Sequence, residues 1–468
     1  MHPLVLVEML IAIILMLILP RKYVIVPFLF CVFLVPMGQQ LTVGGLHFFV
    51  SRILILVGCF RMMVTSLTSQ ESMVGGGFNS IDGAFFCYVF VEAAAVSLQY
   101  MQSQAVFNQI GFLIDFAAAY LLIRAWIRDE SDVYRAIKCF AALTVILGIS
   151  MVFEQLTLHN VFGMLGGGVR ATPEIREGKI RSQGVFQHSI LAGTFAASLL
   201  PLFLLLWKNG KAKFAAAMGL VGCTVMTICS NSSTPLLTYA AAVLAVCLWP
   251  LRKNMRIVRW AIVGAIAALA LVMKAPVWFI LSHIDLTGGS SGYQRATLVD
   301  SCIRHFWDWW LIGSKDVPSW GYDLWDQQNQ YVNVAETGGL LAFIFFIAMI
   351  SRSFGRLGKS RKLVDGDKDQ EWRLWFLGAA LFANCTGFFG VNYFDQTKIS
   401  WFVLLATISA VTAPILARST VPEAYQSQPG VSASRLELNP SYQVRAEGVV
   451  RNKGNALPPV PKPARGYR

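Results

Sequence analysis

Apolar runs recur along the chain with a regularity that sets its architecture before any single residue is considered. Stretches at 3–19, 23–40, 44–61, 82–100, 105–124, 136–153, 189–207, 214–230, 235–250, 260–279, 331–350, 374–391 and 399–417 are dominated by aliphatic and aromatic side chains. A helix rises about 1.5 Å per residue, so roughly 20 such residues cross the ~30 Å hydrocarbon core of a bilayer. The period-2 alternation that a transmembrane barrel requires is not visible. The pattern predicts an all-α, polytopic membrane helical bundle of twelve or thirteen transmembrane helices. The run 82–100 decides between the two counts, because Glu92 and several small or polar residues interrupt it.

Composition supports this class. The chain is 55% apolar and 14% charged, against about 25% charge in soluble domains. The first run has Glu8 as its only charge, no basic stretch before it and no small-residue cleavage site after it, so a retained helix is expected. The cysteines fall mostly inside apolar runs, with Cys302 in a long polar loop, so no disulfide framework is implied. No CxxC pair or histidine cluster suggests a metal site.

Basic residues orient the bundle. Arg124, Arg128, Arg135 and Lys138 share one set of short loops with Lys208, Lys211, Lys213, Arg252, Lys253, Arg256 and Arg259. Arg352, Arg356, Lys359, Arg361, Lys362 and Arg373 continue that set, which marks the cytoplasmic side. The two long loops, 154–188 and 280–330, then face outward, and the N-terminus does too if 82–100 spans. The net charge of +13 is thus a topology signal, not a nucleic-acid one. The transmembrane domain is expected over 1–417, and 418–468, rich in Pro, Ser, Gly and basic residues, reads as a disordered cytoplasmic tail. That tail suits contact with anionic headgroups or serves as a plain tether. No internal or inverted repeat is visible, which counts against a transporter.

The two outer loops hold the candidate chemistry. The first carries Gly166, Gly167, Gly168 and Arg170, then Arg176, Lys179 and Arg181, then His188. Outward basic residues oppose the usual charge bias, and a phosphate or diphosphate ligand held by guanidinium forks would account for them. Ion pairs with Glu174 and Glu177 on a solvated loop are the alternative. The second loop combines Arg295, Arg304 and His305 with Tyr293, Trp307, Trp309, Trp310, Trp320, Tyr322 and Trp325, among Asp308, Asp323, Asp326, Gln327, Gln328 and Asn329. Aromatic faces beside amides and carboxylates suit a sugar, and an interfacial aromatic belt is the other reading. Arg52, Glu92, Asp115 and Glu154 lie in or near helices, where they pair with one another, line a path or snorkel to water. Ser230 to Thr234, before Pro235, reads as a helix break.

The segment Arg181-Ser182-Gln183-Gly184-Val185-Phe186, followed later by Asn329-Gln330-Tyr331-Val332 and Glu336-Thr337-Gly338-Gly339-Leu340, resembles the O-antigen ligase and polymerase superfamily. Arg295, Gly313 and Gly321 fall in the order expected before that block, and the resemblance runs over about 154–350 by motif. It implies an all-helical, bacterial inner-membrane glycosyltransferase that works on undecaprenyl-diphosphate-linked glycans at the periplasmic face. Transfer would be inverting and metal-independent, with no cofactor. Polymerases of this kind join one repeat to another, whereas ligases move the glycan to lipid A core.

Carried onto this chain, the resemblance implies Arg181 and Arg295 on the donor diphosphate, with Arg170 and Arg304 in support. Asp326 is the candidate base, and Gln328, Asn329, Tyr331, Glu336, His188 and Tyr293 are candidate substrate contacts. Asp323 and His305 are further possible proton acceptors. Ligases commonly carry His-Asn where this chain has Gln328-Asn329, and glutamine cannot act as a base near neutral pH. The expectation is therefore a polysaccharide polymerase, with a ligase second and a polysaccharide or lipid-linked sugar transporter as the reading from another class. The implied partners are the lipid-linked oligosaccharide and membrane lipids, with no nucleic acid. Whether other polysaccharide-assembly proteins join it stays open.

Overall fold

The computed structural model describes residues 1–43, 46–68, 73–283, 292–321, 324 and 328–418. Met1–Ile415 forms one compact unit. Of the second, Leu416–Arg468, only Leu416–Arg418 are described, so the proposed tail lies outside the described residues.

The chain is all-α apart from two small hairpins. Its helices are α1 (Pro3–Ile18), α2 (Ile25–Leu34), α3 (Val50–Thr68), α4 (Ser80–Tyr100), α5 (Ser103–Leu113), α6 (Ala119–Trp126) and α7 (Glu130–Thr157). They continue with α8 (Ser189–Lys208), α9 (Lys213–Cys229), α10 (Ser233–Cys247), α11 (Met255–Val272), α12 (Gly292–Arg304) and α13 (Phe306–Trp309). The last three are α14 (Gln330–Leu363), α15 (Lys368–Gly387) and α16 (Thr397–Arg418). A π-turn over Ile114–Ala118 joins α5 to α6 in one span. Antiparallel hairpins pair β1 (Gln40–Val43) with β2 (Leu46–Phe49), and β3 (Glu174–Arg176) with β4 (Lys179–Arg181).

Every predicted span meets a helix. Among the described residues, eight helices are long and apolar enough to cross a membrane, and three shorter ones are apolar too. The run 82–100 is one of the eight. The boundaries need correction in three places. The runs 23–40 and 44–61 blur a short α2 of 10 residues, the β1–β2 hairpin and a later α3. Gln40-Leu41-Thr42-Val43 and Leu46-His47-Phe48-Phe49 are apolar enough to extend a hydropathy run, yet they pair as strands. The run 260–279 slides back to Met255–Val272, and a 3-10 turn follows Pro276.

Local sequence explains the helix ends. Asn79 and Asp82 form a reciprocal capping box at the start of α4. Asp129 caps α7 and Asp367 caps α15 through their side chains. In hydrocarbon every main-chain group must be satisfied internally, so such ends matter most where helices stop near the bilayer edge.

At the centre, α8 is buried along nearly its whole length and touches α7, α9, α10 and α15. Phe33, Phe140, Phe186 and Phe195 interlock around it. A second aromatic group, Phe85, Tyr120 and Phe402, joins α4, α6 and α16. Two ion pairs lie inside the bundle. Arg124 Nε donates to Asp82 Oδ1 at 3.0 Å. The Arg52 guanidinium grips Asp115 at 3.1 and 2.7 Å. The pairing that the sequence offers for Arg52 and Asp115 is thus present.

Candidate functional site

Each of the two long loops is tied to the segment that follows α15. In the first, Gly38 N–H donates to Gly167 O at 3.0 Å, and Gln39 Nε2 donates to Leu165 O at 2.5 Å. The glycine triplet therefore forms a turn seated on the segment between α2 and β1. The β3–β4 hairpin sets Glu174 opposite Arg181, and the Arg181 guanidinium reaches Glu174 Oε1 at 3.3 Å. The local ion pair offered by the sequence is real, but it does not exhaust the guanidinium. Arg181 is only 7% exposed, and its Nε donor has no acceptor among the described residues. Burial pulls its pKa down while Glu174 opposes that. Arginine nonetheless stays charged in proteins, so the site retains a largely desolvated cation.

The backbone behind Arg181 is held tightly. Glu154, wholly buried near the end of α7, accepts the amides of Gln183 at 3.1 Å and Gly184 at 2.9 Å on Oε2. Asn160 Nδ2 donates to Gly184 O at 2.8 Å. Ser182 N–H donates to Cys229 O at 3.1 Å, and Asn231 and Gln155 side chains both donate to Ile180 O. The Ser230 to Thr234 break between α9 and α10 thus serves as the floor of this segment.

The second loop folds over its own small core of Leu298, Cys302, Trp309, Val317, Trp320 and Leu324, set against Val332 and Ala335 of α14. Arg295 projects from α12, is 7% exposed, and its guanidinium donates to Gln328 Oε1 at 3.4 Å. His305 stacks on Trp320 with ring centres 5.1 Å apart. Burial pushes the Cys302 thiol up to about 12, which removes it as a nucleophile near neutral pH.

α14 begins at a well-built cap. Asn329 Oδ1 accepts from Tyr331 N–H at 2.9 Å and Val332 N–H at 3.2 Å, and its Nδ2 donates to Phe389 O at 3.4 Å. Gln330 N–H donates to Phe388 O at 2.9 Å, Gln330 Oε1 accepts Tyr393 N–H at 2.7 Å, and Tyr331 O–H donates to Cys385 O at 3.0 Å. The segment after α15 is therefore part of the site. Thr234 lies against Gly390, and His188 meets Phe394 edge-on at 6.1 Å, which ties the first loop to the same segment.

The Glu336 to Leu340 motif is a break in α14. Gly339 has φ 74° and ψ −176°, a conformation essentially reserved for glycine. The freed backbone groups take in the second loop: Ser314 N–H donates to Glu336 O at 2.7 Å and Leu340 N–H to Trp310 O at 2.9 Å. Gln99 at the end of α4 donates to Ile312 O and Thr337 O.

The residues singled out in the sequence therefore separate. Arg181 and Arg295 are buried cations held by different partners, Glu174 and Gln328. Asn329 and Tyr331 position α14, and Glu336 is wholly buried, its carboxylate facing no hydrogen-bond partner. Arg170, His188 and Tyr293 are exposed. Arg304 is exposed and paired with Asp300 at 2.6 Å. Asp323 and Asp326 lie outside the described residues, as do Tyr322, Trp325 and Gln327. Among the described residues no group of three or more His, Cys, Asp or Glu could hold a metal ion. Sequence reasoning missed Asp395, which caps α16 through Thr397 N–H at 2.9 Å and Thr397 O–H at 2.8 Å while its Oδ2 is buried without a partner. Gln183 stood within the Arg181 to Phe186 motif without a role, and its side-chain Nε2 is buried with no acceptor among the described residues. Single polar residues on short connections carry no signal of this kind.

No protein-family model matches this chain, and comparison with curated proteins finds no match either.

Proposed function

We propose that this membrane protein is a polysaccharide polymerase that joins undecaprenyl-diphosphate-linked glycan repeats at the outer face of a bacterial inner membrane. The observation that supports this reading most is the pair of buried arginines, Arg181 on β4 and Arg295 on α12, each 7% exposed. The desolvated Arg181 guanidinium, whose Nε finds no acceptor among the described residues, favours a ligand rich in anionic oxygens, and a diphosphate is such a ligand. The acceptor hydroxyl oxygen bonds to the anomeric carbon as the bond to the diphosphate oxygen breaks, with inversion, and the hydroxyl proton passes to water or to the departing diphosphate. Arginines around the departing diphosphate stabilise the charge that develops there, and this effect is often the largest single contribution to catalysis. Gln328 stands where ligases of the superfamily carry histidine, and it accepts from Arg295. That arrangement favours the polymerase over the ligase.

The test is the glycan profile of cells carrying Arg181→Ala or Arg295→Ala beside the deletion and wild type, at matched protein level. Loss of long polymer with single repeats retained supports a polymerase. Intact polymer stranded on its lipid carrier indicates a ligase, and unchanged glycans in the deletion rule out both.

A further inference from the structure

The aromatic residues of the second loop divide into two populations. Trp309 and Trp320 belong to the loop's small core. Trp307 and Leu311, by contrast, are 77% and 64% exposed, and Ile303 and Trp310 are exposed with them. Trp307 and Trp310 lie edge to face, 6.2 Å between ring centres. Such a patch is not expected on a water-facing sugar platform with no ligand.

Its level along the bundle follows from what it bonds to. Trp310 O accepts from Leu340 N–H, and Leu311 O lies against Gly339, so this strand docks on the break in α14. Gln99, next to the last residue of α4, donates to Ile312 O in the same place. α4 has 21 residues, about 31 Å of helix, which is roughly one hydrocarbon core. The strand therefore sits at the edge of the bilayer core, not above it. Irregular backbone is tolerated at such a level only where protein satisfies it. Here Gln99, Ser314, Leu340 and Glu336 supply those bonds.

The patch adjoins further exposed apolar side chains on two candidate membrane spans. Leu98, Tyr100 and Met101 of the α4 end are exposed, as are Leu341 and Ile344 just past the break in α14. Lys315 lies over the Tyr100 ring at 6.0 Å, and the exposed Arg304 flanks Ile303. Cations beside tryptophans above an apolar belt match the chemistry of the headgroup boundary.

We propose that Trp307, Trp310 and Leu311 form an interfacial anchor that seats the second loop in the bilayer, with lipid acyl chains as the occupant of the patch. These residues then do not contact sugar, and the proposal stands apart from the glycosyltransferase reading.

Depth-dependent quenching tests it. Full-length protein is placed in nanodiscs of lipids brominated near the glycerol end of the acyl chain. Emission is compared between wild type and Trp307→Phe, with Trp310→Phe as an independent second variant, and the difference spectra isolate each indole. The expected result is loss of most Trp307 and Trp310 emission to brominated lipid, with little effect of aqueous iodide. Quenching by iodide and not by lipid would overturn the proposal, since the loop would then stand in water. Resistance to both quenchers would overturn it as well, because protein would then cover the patch.

Discussion

The Glu154 carboxylate accepts the Gly184 amide at 2.9 Å and the Gln183 amide at 3.1 Å from the same oxygen. A buried acid at the end of α7 thereby fixes the turn that follows Arg181, three residues before Gly184 in the chain. The other Glu154 oxygen, Oε1, takes a bond from Asn160 Nδ2 at 3.5 Å, so both oxygens face donors.

Glu154→Gln should therefore loosen the donor segment without emptying the site of side chain. Both backbone bonds share Oε2, so a glutamine keeps them only by turning its NH2 toward Asn160 Nδ2, which donates to Oε1; donor then meets donor, or the backbone bonds are lost, at a cost of about 1–3 kcal/mol. Hydrogen exchange at Gln183 and Gly184 should speed up by one to two orders of magnitude, roughly as that energy implies. Unchanged protection at these amides would remove Glu154 from this role.

Asn329 is expected to act as a helix cap first. Asn329→Ala should lower thermal stability by about 1 kcal/mol, and Asn329→Asp should retain most of it, because either side chain accepts from Tyr331 and Val332 N–H. Melting of the purified variants in one detergent makes the comparison. Equal loss in both would point to the Nδ2 bond to Phe389 instead of the cap.

Gly339 and Gly313 form the joint between α14 and the second loop. A Cβ at Gly339 would stand 2.8 Å from Leu311 O, and one at Gly313 would run into Glu336 O; both glycines have positive φ. Each alanine substitution should cost upward of about 2 kcal/mol from backbone strain alone, with added loss from displacing the loop. Folded yield by fluorescence-detected gel filtration reads this out, against Gly355→Ala, where a Cβ meets nothing.

The helical architecture was legible because runs of apolar residues at bilayer length are a strong signal, and each predicted span meets a helix. It failed over 23–61, where strands of β1 and β2 share the hydropathy of the helices beside them, and only tertiary pairing separates the two. Arg181 and Arg295 could be picked out as arginines on the two long loops, but their burial could not. Glu154 was visible as an expensive charge, yet its partners are backbone amides, which look alike at every position. Asn329 and Glu336 stood out within a motif, and their surroundings assign them to the cap and to the buried side of the break. Asp395 gave no warning, because a few polar residues between two spans read as a plain connection.

Asp395 gives the molecule a pH dependence of defined sign. Burial raises its carboxyl from the ordinary 3.8 to about 6, opposed by bonds from Thr397. The folded state thus keeps the proton that the unfolded chain gives up. The stabilisation is full below about pH 4 and is lost as pH rises through about 6, with a span of roughly 3 kcal/mol. Asp395→Asn keeps an oxygen for Thr397 and has no proton to lose. Its melting temperature should therefore fall less than wild type's between pH 4.5 and 7, values within and above the titration window. Parallel curves for the two proteins would contradict the assignment.

The most direct test of the central claim uses purified protein in nanodiscs with an undecaprenyl-diphosphate-linked repeat as sole substrate, and resolves products by length. Wild type should build a ladder of polymer and release undecaprenyl diphosphate. Arg181→Lys and Arg295→Lys, which keep charge and lose the two-pronged fork, should each slow the ladder by about tenfold or more. Arg170→Lys should leave it near wild type. A wild-type protein that forms no ladder, or arginine variants that extend it at the wild-type rate, would contradict the proposed polymerase site.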